Sequence, residues 1–289
     1  MKKLWSVVVL SSLSAFACRP ADSSSQDMSD PVVDMATPPA AMTTSIRELN
    51  SPQNTIKVGT RIKVSGVVTS PLRWVTSDDN AGYCYYRVHI VQTDPAPATL
   101  QDGILLTLSL RTTMWTDGSM TTQCRDRAKS DTVAMAMDAL MPGQQVEIEG
   151  SYDTRANCGG TTRQINMFGG KIVSQGMAAN PPTPVDADPT QYLTATGSPK
   201  VLAKVFADNQ GALVRFSNVK SYGRNMTFQD FSVSPTGAAP GALIGTNYLR
   251  AQGSFTSLAD GTTYKSVTGI VLADFCGGIW PRTKDDLVQ

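Results

Sequence analysis

Apolar and polar residues alternate along most of the chain with the period of two that marks half-buried strands. Between residues 46 and 179 five segments show it: IKVSGVVTS (62–70), YYRVHIVQ (85–92), GILLTLSL (103–110), QQVEIEGSY (144–152) and RQINMFGGKIV (163–173). Gly, Asp, Pro or Ser separates one from the next. One stretch departs from the pattern: DTVAMAMDAL (131–140) has helical character, with Asp131 placed to cap it and Pro142-Gly143 to end it.

Five strands with a helix after the third is the order of an OB-fold, a small Greek-key barrel. The second half repeats the pattern. Gly59-Thr-Arg-Ile-Lys-Val-Ser-Gly-Val-Val faces Gly211-Ala-Leu-Val-Arg-Phe-Ser-Asn-Val-Lys, and the turns Cys158-Gly159-Gly160 and Cys276-Gly277-Gly278 each follow a strand glycine, Gly150 or Gly269, by seven or eight residues. A second barrel is therefore predicted, with strands near 212–220, 226–233, 240–250, 263–272 and 279–283. The fold class is all-β with a minor helix, two tandem OB-like five-stranded barrels. The stretch NPPTPVDADP reads as a linker over 180–190, which gives OB-like domains over 46–179 and 191–289.

The N-terminus adds an address. Met1-Lys2-Lys3 precedes the apolar run LWSVVVLSSLSAFA (4–17), which has the layout of a secretory leader and is shorter than the ~20 residues of a membrane-spanning helix. Cleavage after Ala17 leaves Cys18 first, as in bacterial lipoprotein signals, although Ala15 and Phe16 depart from the usual lipobox. Lipid on Cys18 also resolves the parity of five cysteines, leaving four for two disulfides in an oxidising compartment. Residues 18–45 are rich in Ser, Pro, Asp and Ala and read as a disordered tether. Arg19 in place of Asp resembles an outer-membrane signal. The expectation is an extracytoplasmic outer-membrane lipoprotein, with plain secretion as the alternative. Without Lys2 and Lys3, the 25 basic residues become 23 against 24 acidic ones, so no electrostatic footprint for nonspecific nucleic-acid binding is present.

The closing YKSVTGIVLADFCGGIWPRTKDDL together with GALVRFSNV resembles a family of secreted bacterial OB-fold proteins whose last strand ends in Pro-Arg-Ser/Thr-x-x-Asp, here Pro281 to Asp286. The resemblance covers about residues 46–289. It implies the fold and an extracytoplasmic address, and no single activity.

Candidate chemistry is sparse. Cys84, Cys124, Cys158 and Cys276 form no C-x-x-C pair, and the lone His89 cannot complete a zinc set, so no metal and no cofactor is expected. Three cysteines precede residue 180 and one follows it, so full pairing requires one bridge between the domains. Joining the two Cys-Gly-Gly turns pairs Cys158 with Cys276 and Cys84 with Cys124, although spacing alone leaves other pairings open. On the second strand the period of two sets Tyr83, Tyr85, Arg87 and His89 opposite the core face of Cys84, Tyr86, Val88 and Ile90. That outward row, with Trp74 and Trp115 beside it, occupies the surface where OB barrels bind ligands. An ordinary amphipathic strand would look the same.

Paired acids are no better marked. Asp78-Asp79 and Asp285-Asp286 read as solvated loop charges, and Glu147 and Glu149 as the wet side of a strand. The reading is a noncatalytic, surface-tethered binding protein, held to the membrane through Cys18, whose ligand is a glycan, a peptide or another envelope protein, with nucleic acid ranked below these. The alternatives are a secreted metal-dependent hydrolase or nuclease using the His89 face, and a structural spacer.

Overall fold

The computed structural model describes residues 40–76, 83–94, 96–111, 124, 126–158, 160–193, 204–253, 255–273 and 276–289. The leader, Cys18 and most of the tether lie outside the described residues, as do Asp78, Asp79 and Trp115. Residues 39–289 form one compact unit.

The first sheet contains β1 (Met42–Thr43), β2 (Arg61–Val68), β3 (Arg73–Thr76), β4 (Tyr83–Val91), β5 (Gly103–Arg111), β6 (Gln144–Asn157) and β7 (Gly160–Met177), in the order β1-β2-β6-β7-β5-β4-β3. It closes because Val67 and Val68 of β2 also lie opposite Val91 and Ile90 of β4. Going round the barrel, β2, β4, β5, β7, β6 and back to β2 is the strand order of an OB-fold, with β5 and β7 the one parallel pair. The helix Thr132–Asp138 sits between the third and fourth barrel strands as the sequence predicts. Asp131 Oδ1 accepts the N–H groups of Val133 and Ala134, both at 2.9 Å, and Ala134 and Met137 enter the barrel core.

The second sheet contains β8 (Val185–Asp186), β9 (Leu213–Tyr222), β10 (Phe231–Ser234), β11 (Ala242–Ile244), β12 (Thr263–Leu272), β13 (Gly278–Trp280) and β14 (Leu287–Val288). Here β9 pairs β10, β10 pairs β11, β11 runs parallel to β13, β13 pairs β12, and β12 returns to β9. The same OB order closes a second barrel. Its third strand is shorter than the expected 240–250. After Ile244 the chain turns at Gly245, where a Cβ would lie 2.6 Å from the Trp280 ring, and residues Asn247–Ala251 form a helix that buries Tyr248 and Leu249. The second strand is shorter too: most of 226–230 is a turn in which Asn225 Oδ1 accepts the N–H groups of Thr227 and Phe228.

The glycine shared by the two halves has one explanation. A Cβ at Gly150 would stand 2.6 Å from Ile165 Cγ2, and a Cβ at Gly269 would stand 2.7 Å from Ile279 Cγ2. In each barrel an isoleucine of the fifth strand packs against the backbone of the fourth, and only a residue without a side chain leaves room for it.

Order begins inside the stretch expected to be tether. β1 runs parallel to β2, and Ser45 and Glu48 form a reciprocal capping box on the helix Ile46–Asn50. Residues 180–190 carry β8, which pairs in parallel with β9, and Arg215 grips Asp186 through Nε and Nη2 at 2.7 and 2.9 Å. The terminal Pro-Arg-Thr-x-x-Asp pattern is a clamp: Arg282 donates from Nε, Nη2 and its backbone N–H to the Asp286 carboxylate at 2.7–2.9 Å. This corrects the reading of Asp286 as a solvated charge, since it is 7% exposed.

Candidate functional site

The sequence points to the outer side of β4, and the structure shows how that strand is fixed. On its inner side Cys84 is bonded to Cys124 and fully buried, and the Tyr86 hydroxyl donates to the Cys124 carbonyl at 2.7 Å. Burial pushes the Tyr86 phenol up to about 12, with Asp131 and Asp138 adding to the shift and Arg127 opposing it. The strand end is thus anchored from within, with Tyr83 and Tyr85 on its outer side. Their ring centroids are 6.5 Å apart, and the Arg87 guanidinium lies 5.6 Å from the Tyr85 centroid.

Register extends the row across strands. Tyr83 lies opposite Arg111 of β5, Tyr85 opposite Ser109 and Val75, and Arg87 opposite Thr107 and Arg73. Arg111 is exposed and Ser109 half-buried. Trp74 lies in β3 with its Cα opposite Tyr86.

The outward row is not open along its whole length. Tyr83 and Tyr85 are half-buried, but Arg87 is 3% exposed and His89 2%. The expectation of an outward-looking Arg87 and His89 is therefore corrected: they face away from the first core and are nevertheless covered. His89 sits against Ser70, whose Oγ accepts the His89 backbone N–H at 2.9 Å and lies 3.3 Å from Nδ1. Thr107, Gln164 and Leu105, also outside the first core cluster, are buried as well.

At the end of the row the cover is the second barrel. Val91 packs in one cluster with Leu213, Tyr248, Ile270, Leu272 and Trp280. Beside it, a Cβ on Gly103 would lie 2.1–2.2 Å from the backbone of Gly211 and Ala212, so the two main chains touch directly. The loops that follow β6 and β12 are joined by the Cys158–Cys276 disulfide, which links the two Cys-Gly-Gly turns. Both cysteines adopt positive φ, 45° and 68°.

Glu147 and Glu149 are engaged in ion pairs across the sheet, with Lys63 at 2.7 Å and Arg61 at 2.5 Å. Sequence reasoning missed Arg111 and Ser109, whose signal is the same period of two in GILLTLSLR. It also missed the cover, for which the chain carries only the glycines at 103 and 211.

No family model and no curated protein matches the sequence. Among solved structures, the S. cerevisiae mitochondrial single-stranded DNA-binding protein Rim1 aligns with 43% of this chain and 99% of its own at 13% identity and a TM-score of 0.26. A Plasmodium falciparum SSB in complex with ssDNA aligns with 42% and 98%, at 11% identity and 0.24. A replication protein A heterotrimer bound to ssDNA aligns with 82% and 53%, at 10% identity and 0.25. The OB-fold assignment stands on the strand order of each barrel.

Proposed function

We propose that the chain is a noncatalytic binding protein of the cell envelope, held to the outer membrane by lipid on Cys18, with residues 46–179 and 191–289 as its two OB-like domains. Its binding surface is the open end of the outer row, Tyr83 and Tyr85, with the buried Arg87 backing the Tyr85 ring and Trp74 and Trp115 as candidate extensions. One observation carries the reading: two half-exposed tyrosine rings stand 6.5 Å apart on a strand whose inner side is pinned by a buried disulfide, with a guanidinium against one ring. Rings held in place before binding lose little entropy when a flat ligand stacks on them. A glycan, a peptide or another envelope protein is the ligand class.

A second reading, single-stranded nucleic acid, is favoured by one feature: Arg111 stands opposite Tyr83 and is exposed, so aromatic and cationic residues interleave at the open end. The near-neutral charge of the chain weighs against it. The hydrolase alternative would have to use His89, which at 2% exposure lies under cover.

The mature chain with Cys18→Ser, screened against glycans, peptides and single-stranded DNA, tests all three. The expected result is binding without turnover, weakened about tenfold by Tyr85→Ala. Metal-dependent turnover lost on His89→Ala would overturn it, and no effect of Tyr85→Ala on a ligand that binds would move the site elsewhere.

A further inference from the structure

The turn before β10 is held by a dense set of hydrogen bonds. Asn225 Oδ1 accepts the N–H groups of Thr227 and Phe228 at 2.9 and 3.0 Å, the Asn225 N–H donates to the Asp230 carbonyl and the Gln229 N–H to the Asn225 carbonyl, both at 2.7 Å. Gln229, at a positive φ of 59°, ties the turn twice over. Its amide nitrogen donates to the Met226 carbonyl at 2.6 Å, while Oε1 accepts from Arg224 Nη2 and from the Ser257 N–H and Oγ, each at 3.1 Å. Thr246 Oγ1 donates to the Phe228 carbonyl at 2.9 Å.

The side chains of this turn have a different character. Met226 is 68% exposed and Phe228 53%, and Leu258, next to the Ser257 that bonds Gln229, is 41% exposed. A turn built on an Asn side chain accepts polar residues at its open positions, so the backbone does not demand a thioether and a phenyl ring there. Lone exposed apolar residues are ordinary, but these two stand two positions apart on one braced turn, with a third close by in the bonded network. The Arg250 guanidinium lies 5.9 Å from the Phe228 centroid and donates to Asn247 Oδ1, which puts a cation against the ring. Charges around the tip balance. Arg224 and Arg250 are matched by Asp230 and Asp260, whose carboxylates accept the N–H groups of Thr246 and Arg224. A preformed apolar tip of no net charge is suited to enter a lipid interface, and has little electrostatic pull toward a charged surface.

We propose that the turn carrying Met226 and Phe228 is a membrane-contact site, which inserts these two side chains into the interfacial layer of a lipid bilayer. The choice of a bilayer as occupant follows from the N-terminal chain: residues 19–39 span at most about 75 Å, so a lipid on Cys18 keeps the folded part above one patch of membrane. That choice rests on the lipid-anchor reading above. Two side chains insert weakly by themselves, and the anchor supplies the local concentration that makes their insertion persistent. The contact orients the barrels on the surface.

Cys18 is the one cysteine outside the two disulfides, so the mature chain can be coupled through it to vesicles containing a maleimide lipid, whether or not cells acylate it. The vesicles are phosphatidylcholine brominated on its acyl chains, which quenches indole emission within the bilayer. Wild-type protein, with Trp74, Trp115 and Trp280, gives the background for Phe228→Trp. The expected result is quenching in Phe228→Trp at least about twofold above that background, unchanged in high salt and reduced by adding Met226→Ser. Melting temperatures should stay the same, because both positions are exposed. Quenching equal to the background overturns the contact. So does quenching that disappears in high salt, which would indicate adsorption by charge. A native chain without lipid on Cys18 would remove the anchor reading only, since the coupled chain reports the contact independently.

Discussion

The first barrel is built mainly from long ladders, whereas the second has one long ladder, β9 with β12, and otherwise short ones. Strands β6 and β7 of the first run for 14 and 18 residues, around a core of mainly Val, Ile and Leu side chains closed by its own cystine. In the second, the second and third barrel strands are four and three residues long, and one residue pair, Ile244 with Ile279, joins the third to the fifth. Its centre is filled instead by rings: Tyr192 meets Phe206 edge-on at 5.6 Å and Phe231 stacks on Tyr264 at 5.8 Å. Each buried ring removes ~150–250 Å² from water, so a few aromatics offset the missing ladder. The same strand order is thus reached by two routes, one through backbone pairing and one through side-chain volume.

The largest effect is expected where the two barrels meet. Gly103→Ala places a methyl about 2 Å from the Gly211 backbone, where neither main chain can yield, and should cost about 3–5 kcal/mol with loss of the inter-barrel contact. Gly59→Ala is the control: it has positive φ but nothing within 4 Å, and should cost about 1 kcal/mol. Denaturant midpoints of the two variants distinguish a packing contact from a turn requirement.

Removing the first barrel's cystine by Cys84→Ala/Cys124→Ala should come next, at about 3–4 kcal/mol, given a loop of 40 residues. The second barrel has no internal cystine to lose, so protection of the β9 and β12 amides should survive. Loss of protection in both barrels at once would show that they fold as one unit.

Smaller effects separate a buried ion pair from an exposed one. Asp102 is 1% exposed and accepts from Arg47 Nε and Nη2 at 2.8 and 3.0 Å, tying the N-terminal helix to the first barrel. Asp102→Asn should cost about 1–2 kcal/mol in thermal melting. Asp186→Asn, which removes the exposed partner of Arg215, should leave the melting temperature unchanged.

The smallest effect is a titration. Burial pushes the Tyr192 phenol of the second barrel up to about 12, as it does Tyr86 of the first, while an unfolded tyrosine titrates near 10. Between about pH 10 and 12 the unfolded chain therefore binds fewer protons than the folded one, and stability falls as pH rises through that window. Ultraviolet titration should show these phenols among the last to ionise, with Tyr86→Phe and Tyr192→Phe each removing part of the pH slope.

Much of the fold is legible in the residues. Alternation locates all five strands of the first barrel, Asp131 marks its helix, and the glycines at 150 and 269 mark equivalent close contacts with an isoleucine of the fifth strand. The short strands β10 and β11 are legible only in part, because three or four residues cannot show a period and the apolar run through Tyr248 and Leu249 serves a helix instead. The candidate site divides the same way. The period of two sorts the inner and outer faces of β4 correctly, since it is a local property of the backbone. The packing of the second barrel on the Val91 end of that face includes a contact between Gly103 and Gly211, more than a hundred residues apart, and no local pattern encodes it.

The most direct measurement is the nuclear Overhauser contact between the Gly103 α-protons and the Gly211 and Ala212 backbone in glycine-labelled, oxidised protein. Main chains in touch predict a strong signal there. Its absence, with the strand pairings of both barrels intact, would mean that the barrels move independently and that Val91, at the end of the outer row, is not held against the second barrel.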